Sequence, residues 1–270
     1  MIRLLRELDD LDAGRPPVAV RRRERRRRAV VALMSVVALG GGTLFLAQKH
    51  FGITLSPDGL VRAAPLGTPP DVPRGLGRFA YMGTKPDDPS RPVTYDPCRR
   101  VEIEVNDAMA PPGAGRLLAG ALTDMSAATG LVFEVVGRTD RPPRQDGGFG
   151  RPRREPVLVV WTDPTTVPAL AGDVAGIGGS TPRLHTYSGD HEYVTGLVAL
   201  DAPQLSPLLA QPGGHEGVRA IVLHELAHLV GLGHVDDHGE LMHPRSSRML
   251  DFGPGDREGL AVLGSGRCYF

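Results

Sequence analysis

The run Ile221–His234, reading IVLHELAHLVGLGH, constrains this chain more than any other stretch. It sets His224, His228 and His234 around Glu225 and Gly231 in the pattern H-E-x-x-H-x-x-G-x-x-H. On an α-helix, His224 and His228 are i and i+4, so both imidazoles leave one face a turn apart. That spacing suits one Zn²⁺ at about 2.0–2.1 Å from each ring nitrogen. The helix has to stop at Gly231, where a residue without Cβ can turn the backbone through φ > 0. The turn brings His234 back as a third ligand and leaves a fourth position open. Three protein ligands and an open position describe a catalytic zinc site, whereas a structural zinc is closed by four. A lone HExxH occurs in ordinary amphipathic helices, but here five specified positions coincide.

A zinc ion at such a site lowers the pKa of a water toward about 7 and polarises a scissile carbonyl as a Lewis acid. Glu225, next to a ligand, can act as general base, taking that water's proton and handing it to the leaving amine. Without Glu225 the site would still bind metal but turn over poorly. Its presence argues for a zinc hydrolase over a purely structural zinc protein.

The N-terminus decides the compartment. Residues 1–28 carry ten arginines against five acids, and the rest of the chain carries 21 basic and 26 acidic residues. The larger part is mildly acidic, which excludes a nucleic-acid partner on charge grounds. Arg21–Arg28 reads RRRERRRR, and twenty uncharged residues follow it, Ala29–Gln48. At 1.5 Å per residue that run spans roughly the 30 Å hydrocarbon core. The arginines before it place residues 1–28 in the cytoplasm as a basic tail, by the positive-inside rule. No A-x-A cleavage site follows, which favours an uncleaved signal anchor over residues 29–48 that contacts the lipid bilayer. Everything from Lys49 onward is then expected outside the cell, where Cys98 and Cys268 pair as a disulfide.

Residues 49–75 are rich in Pro and Gly and read as a stalk, with the domain over residues 76–270. Within it Val101–Val105 alternates as a half-buried strand, and Leu117 to Ala128 recurs at helical spacing up to a stop at Gly130. Leu131–Val136 and Tyr193–Leu200 read as strands, and Pro156–Trp161 as a buried one. The glycine-rich Ala171–Pro182 is too irregular for a phosphate loop and lacks the Lys-Ser/Thr ending. Helices are expected over 214–231, carrying the histidines, and over Gly255–Leu263, with Asp256 near its N-terminus. Strands and helices in this order give an α+β class with a mixed twisted sheet and three helices, preceded by the transmembrane helix.

Downstream, Glu240-Leu241-Met242-His243-Pro244 places Met242 eight residues after the last histidine. Here the sequence resembles the metzincin clan of metallopeptidases. The extended zinc motif matches in full, and ELMHP resembles the Met-turn, which implies that Met242 is a structural floor beneath the metal. Asp251–Gly264 resembles the closing helix of the matrixin family, whose substrate-binding edge strand Tyr193–Leu200 would be. The resemblance covers roughly Cys98 to Cys268, with its specificity in residues 224–244. No cysteine-switch peptide precedes the domain, and His243 stands where matrixins commonly have tyrosine. The family's structural zinc and calcium segment has no clean counterpart, although His185, Asp190 and His191 could form a second site. Asp236, Asp237 and His238 could orient the first site from behind.

The expected protein is thus a single-pass, membrane-anchored extracellular zinc metalloendopeptidase acting on a protein or peptide substrate. Hydrolysis of a non-protein amide, such as a cell-wall bond, and a tethered binding protein with an idle zinc site are the alternatives.

Overall fold

The computed structural model describes residues 53–55, 61–143, 152–185, 189–245 and 248–269. The basic tail 1–28 and the anchor 29–48 lie outside the described residues. Among those described, no helix is long and apolar enough to cross a membrane.

Short strand pairs come first. β1 (Ile53–Leu55) pairs with β2 (Val61–Ala63), and after β3 (Ala80–Tyr81) follows a hairpin of β4 (Thr84–Lys85) and β5 (Asp88–Pro92). The main sheet is built from β6 (Val101–Asn106), β7 (Phe133–Arg138), β8 (Val157–Thr162), β9 (Gly176–Leu184) and β10 (His191–Asp201). Its order is β7-β6-β8-β10-β9, parallel throughout except for antiparallel β9 at one edge. Four helices are described: α1 (Ala114–Thr129), α2 (Ala202–Leu209), α3 (Gly214–Val230) and α4 (Pro254–Gly264).

The continuous apolar run of β8 reflects burial on both faces, as a central parallel strand requires. Val157, Val159 and Trp161 join the large core with Leu117, Met125, Leu223 and Leu226. Leu158 and Val160 point the other way, onto Val167, Leu170 and Ala199. In β6 the period of two is equally plain, with Val101 and Ile103 buried and Glu102 exposed. α1 follows β6 and returns the chain to parallel β7, burying Leu117, Leu118, Ala121, Leu122 and Met125. Gly130, at φ 73°, ends it. β7 starts at Phe133 rather than at Leu131, because the Leu131 amide is spent on Thr129 Oγ1 at 3.1 Å.

Three readings change. The described residues hold four helices rather than three, the addition being α2, whose sequence APQLSPLL looks unsuited to a helix. Asp201 caps it by accepting from the Gln204 amide at 3.1 Å, and Pro203 stands in the first turn, where its missing N–H costs nothing. Tyr193–Leu200 lies inside β10, an interior strand between β8 and β9, so it cannot be the edge. The edge is β9, taken from the glycine-rich stretch that composition argues against as a strand. Finally, part of the stretch read as stalk lies on the domain. The Leu66 amide donates to Pro97 O at 2.9 Å and the Gly75 amide to Glu258 Oε2 at 2.7 Å.

Cys98 and Cys268 are joined as a disulfide with Cα atoms 5.3 Å apart across a separation of 170 residues. By the loop-entropy model, closing so long a loop is worth about 4–5 kcal/mol.

Candidate metal centre

α3 carries two of the three histidines and then stops where the motif demands. Gly231 adopts φ 112°, and its amide donates to Ala227 O and His228 O. The chain enters β11 (Leu232–Gly233), which pairs with β3, and comes round to His234. His234 Nε2 lies 3.0 Å from His224 Nε2 and 3.0 Å from His228 Nε2.

The other ring nitrogens explain this convergence. His224 Nδ1 is 2.9 Å from Leu241 O, and His228 Nδ1 is 2.8 Å from Leu232 O. A carbonyl only accepts, so each Nδ1 bears the proton and each Nε2 presents its lone pair to the shared centre. Lone pairs facing one another at this distance repel unless a cation lies among them. Ring nitrogens at ~2.0–2.1 Å from one ion at tetrahedral angles stand roughly 3.3 Å apart, close to what is seen. The donor set is therefore compatible with zinc. Burial pushes all three imidazoles down, His228 to about 4, so they are neutral and able to ligate at neutral pH.

Glu225, only 6% exposed, lies under β9, and desolvation raises its carboxyl to about 8. A cation held beside it by the three histidines would favour its charged form and draw that value down.

Met242 is fully buried, and its carbonyl accepts from the amide of Val235, the residue after His234, at 3.1 Å. The turn that holds it is locked to α4 by reciprocal capping. Glu240 accepts from the Gly255 and Asp256 amides at 2.8 and 2.9 Å, while Asp256 Oδ2 accepts from the Leu241 and Gly253 amides. The Leu241 amide is thus held on one side and its carbonyl orients His224 on the other.

His243 is held by its neighbours in the chain, with the Arg245 amide donating to its Nδ1 at 3.2 Å. It is buried, stacks on His238 with ring centroids 4.0 Å apart, and reaches Asp236 Oδ1 at 3.5 Å. Asp237 Oδ1 accepts from the Gly239 amide at 2.9 Å, a turn contact. Among the described residues neither aspartate is bonded to His224, His228 or His234. Orienting His224 and His228 falls to the carbonyls of Leu241 and Leu232, which have no side-chain signature and were not visible in the sequence.

His185, Asp190 and His191 do not assemble into a metal group among the described residues. Asp190 is paired with the Lys85 ammonium and accepts from Tyr269 Oη at 2.8 Å. The His185 ring stacks on Tyr269 at 4.3 Å, and its Nε2 lies 2.7 Å from Glu192 Oε1. Asp96, Cys98 and Cys268 also cluster, but the two sulfurs are bonded to each other.

No protein-family model matches the chain, and no curated relative does. Among solved structures, the chain is similar to archaemetzincin from Methanopyrus kandleri at 17% identity and a TM-score of 0.39, covering 60% of this chain and 92% of that one. A zinc-dependent peptidase from Methanocorpusculum labreanum matches at 14% identity and a TM-score of 0.33, covering 59% of this chain and 98% of that one. The GM1-bound ECX AB5 holotoxin matches at 14% and 0.38, covering 63% of this chain and 81% of that one. At identities and scores this low, the likenesses carry no argument about activity, which has to come from the site itself.

Proposed function

We propose that this chain is a zinc-dependent endopeptidase of metzincin-like, matrixin-like design. The observation that supports it best is the meeting of three Nε2 atoms, two of them with lone pairs fixed by carbonyls behind, in the presence of the buried carboxyl of Glu225. His224, His228 and His234 would hold one zinc, whose Lewis acidity activates a water and a carbonyl. Glu225 would receive the water's proton and deliver it to the leaving amine. Met242 would serve as the floor of the site. A peptide would bind as an added strand along the free edge of β9, which replaces the 193–200 stretch in that role.

The same reading carries a membrane anchor over Ala29–Gln48, with the catalytic domain outside the cell. It rests on the uncharged run and the arginines before it.

The test is the full chain in detergent, offered a peptide library with and without chelator, beside Glu225→Gln. The expected result is chelator-sensitive cleavage that falls ~10²–10⁴-fold in the variant while zinc content is unchanged. A wild type that binds zinc and cleaves no peptide defeats the protease reading. Protease protection in sealed vesicles tests the topology, and a domain digested from the cytoplasmic side overturns it.

A further inference from the structure

β9 brings almost no side chain of its own to its contact with α3. Its alternate residues Gly176, Gly178 and Ser180 face the helix, and together they supply one hydroxymethyl group. Ser180 Oγ donates to Leu229 O at 2.6 Å and is 2.5 Å from Tyr95 Oη, pinning the strand one turn beyond Glu225. The contact on Glu225 is backbone on side chain. A methyl group added at Gly176 would stand 2.7 Å from Glu225 Cγ and 3.1 Å from both Cδ and Oε1. One added at Gly178 would stand 2.0 Å from the carbonyl oxygen of Glu225. Neither glycine has positive φ, so backbone conformation does not demand them and close approach does. Residue 196, on the neighbouring strand, obeys the same rule, since a methyl there would meet Leu229 Cδ1 at 2.5 Å.

We infer that Gly176 is a positioning residue, whose bare Cα forms the seat that holds the Glu225 side chain in a single rotamer against β9. Gly178 sets the height of the strand above the helix and acts on the backbone alone. The two differ in what a methyl group would strike, and the difference makes the inference testable. The structural part stands independently of the proposed catalysis; only the kinetic part rests on it.

The first measurement is a thermal double-mutant cycle on the metal-free full chain. Gly176→Ala should lower Tm by at least ~4 °C in the wild-type background, and by much less with Glu225→Ala, which removes the atoms it strikes. Gly178→Ala should cost the same in both backgrounds, because the carbonyl remains. Equal losses for Gly176→Ala in both backgrounds overturn the inference. If Gly176→Ala alone does not fold, folding of Gly176→Ala/Glu225→Ala supports the seat, and failure of both overturns it. The second measurement is kinetic. Zinc-loaded Gly176→Ala should retain its zinc and lose at least ~10-fold in kcat with little change in KM. Unchanged kcat overturns the role in positioning. A wild type without peptidase activity defeats the proposed function and leaves the thermal cycle to decide the seat.

Discussion

His224, His228 and His234 share their outlook with His185, Asp190 and His191, since both groups set imidazoles close together on neighbouring stretches of chain. Their outcomes differ because of what surrounds them. In the first group two ring protons are consumed by the carbonyls of Leu241 and Leu232, so that two lone pairs and the Nε2 of His234 are left facing one point, with no cationic side chain bonded to them among the described residues. In the second, cations of the chain's own are already in place. Lys85, 4% exposed, sits on Asp190, while Arg154 forks onto Glu192 at 2.8 and 2.9 Å with Arg183 beside it. A metal centre therefore needs more than the right residue types; it needs lone pairs that converge and charge that the protein has left unanswered.

The largest effect expected of this contrast is on zinc. His228→Ala should take zinc content from ~one per chain to none, by elemental analysis after dialysis. His185→Ala/His191→Ala should leave it untouched. Loss of zinc in the second variant would erase the distinction between the two groups.

A smaller effect lies in the second group itself. Lys85→Met takes the ammonium away from the Asp190 carboxylate, and the chain should lose ~3 kcal/mol by urea unfolding. Burial alone would raise the Asp190 carboxyl, yet the bonds from Lys85 and Tyr269 outweigh it and the net shift is downward. Stability from this group is accordingly present above about 3.8 and fades as pH falls through the lower folded value. Wild-type stability in Lys85→Met would show that the pair is only decorative.

The reciprocal caps between the Met242 turn and α4 sharpen the contrast further, being two buried carboxyls with no cation among their hydrogen bonds. Burial, with Glu240 adding to it, raises Asp256 to about 6, so the fold favours its acid form. The sign is then opposite to that of Asp190. The stabilisation is whole below about 3.8, is lost as pH rises through about 6, and amounts to about 3 kcal/mol at most. Asp256→Asn can keep the two accepted amide bonds through its carbonyl and should flatten this slope. Comparing it with wild type at each pH cancels the opposing titration of the histidines, and an unchanged slope would refute the assignment.

Motif spacing made the three-histidine group legible, since i and i+4 on a helix and a glycine stop are local geometry. Buried β8 and amphipathic α1 were legible for the same reason, their periods of two and 3.6 being written in adjacent residues. β9 was not, because glycine lacks the apolar side chain that marks a strand. Its place depends on β10 alongside and α3 beneath, both distant in sequence. The Leu232 and Leu241 carbonyls were hidden too, since every residue has one.

By itself, then, the sequence determined which side chains could ligate and where the helix bearing them must end. Both follow from bond geometry within a dozen residues. Only the tertiary structure decided that β9 and not β10 forms the edge over Glu225, and that a lysine answers Asp190. Those outcomes depend on desolvation and on contacts between elements far apart in the chain, to which local spacing is blind.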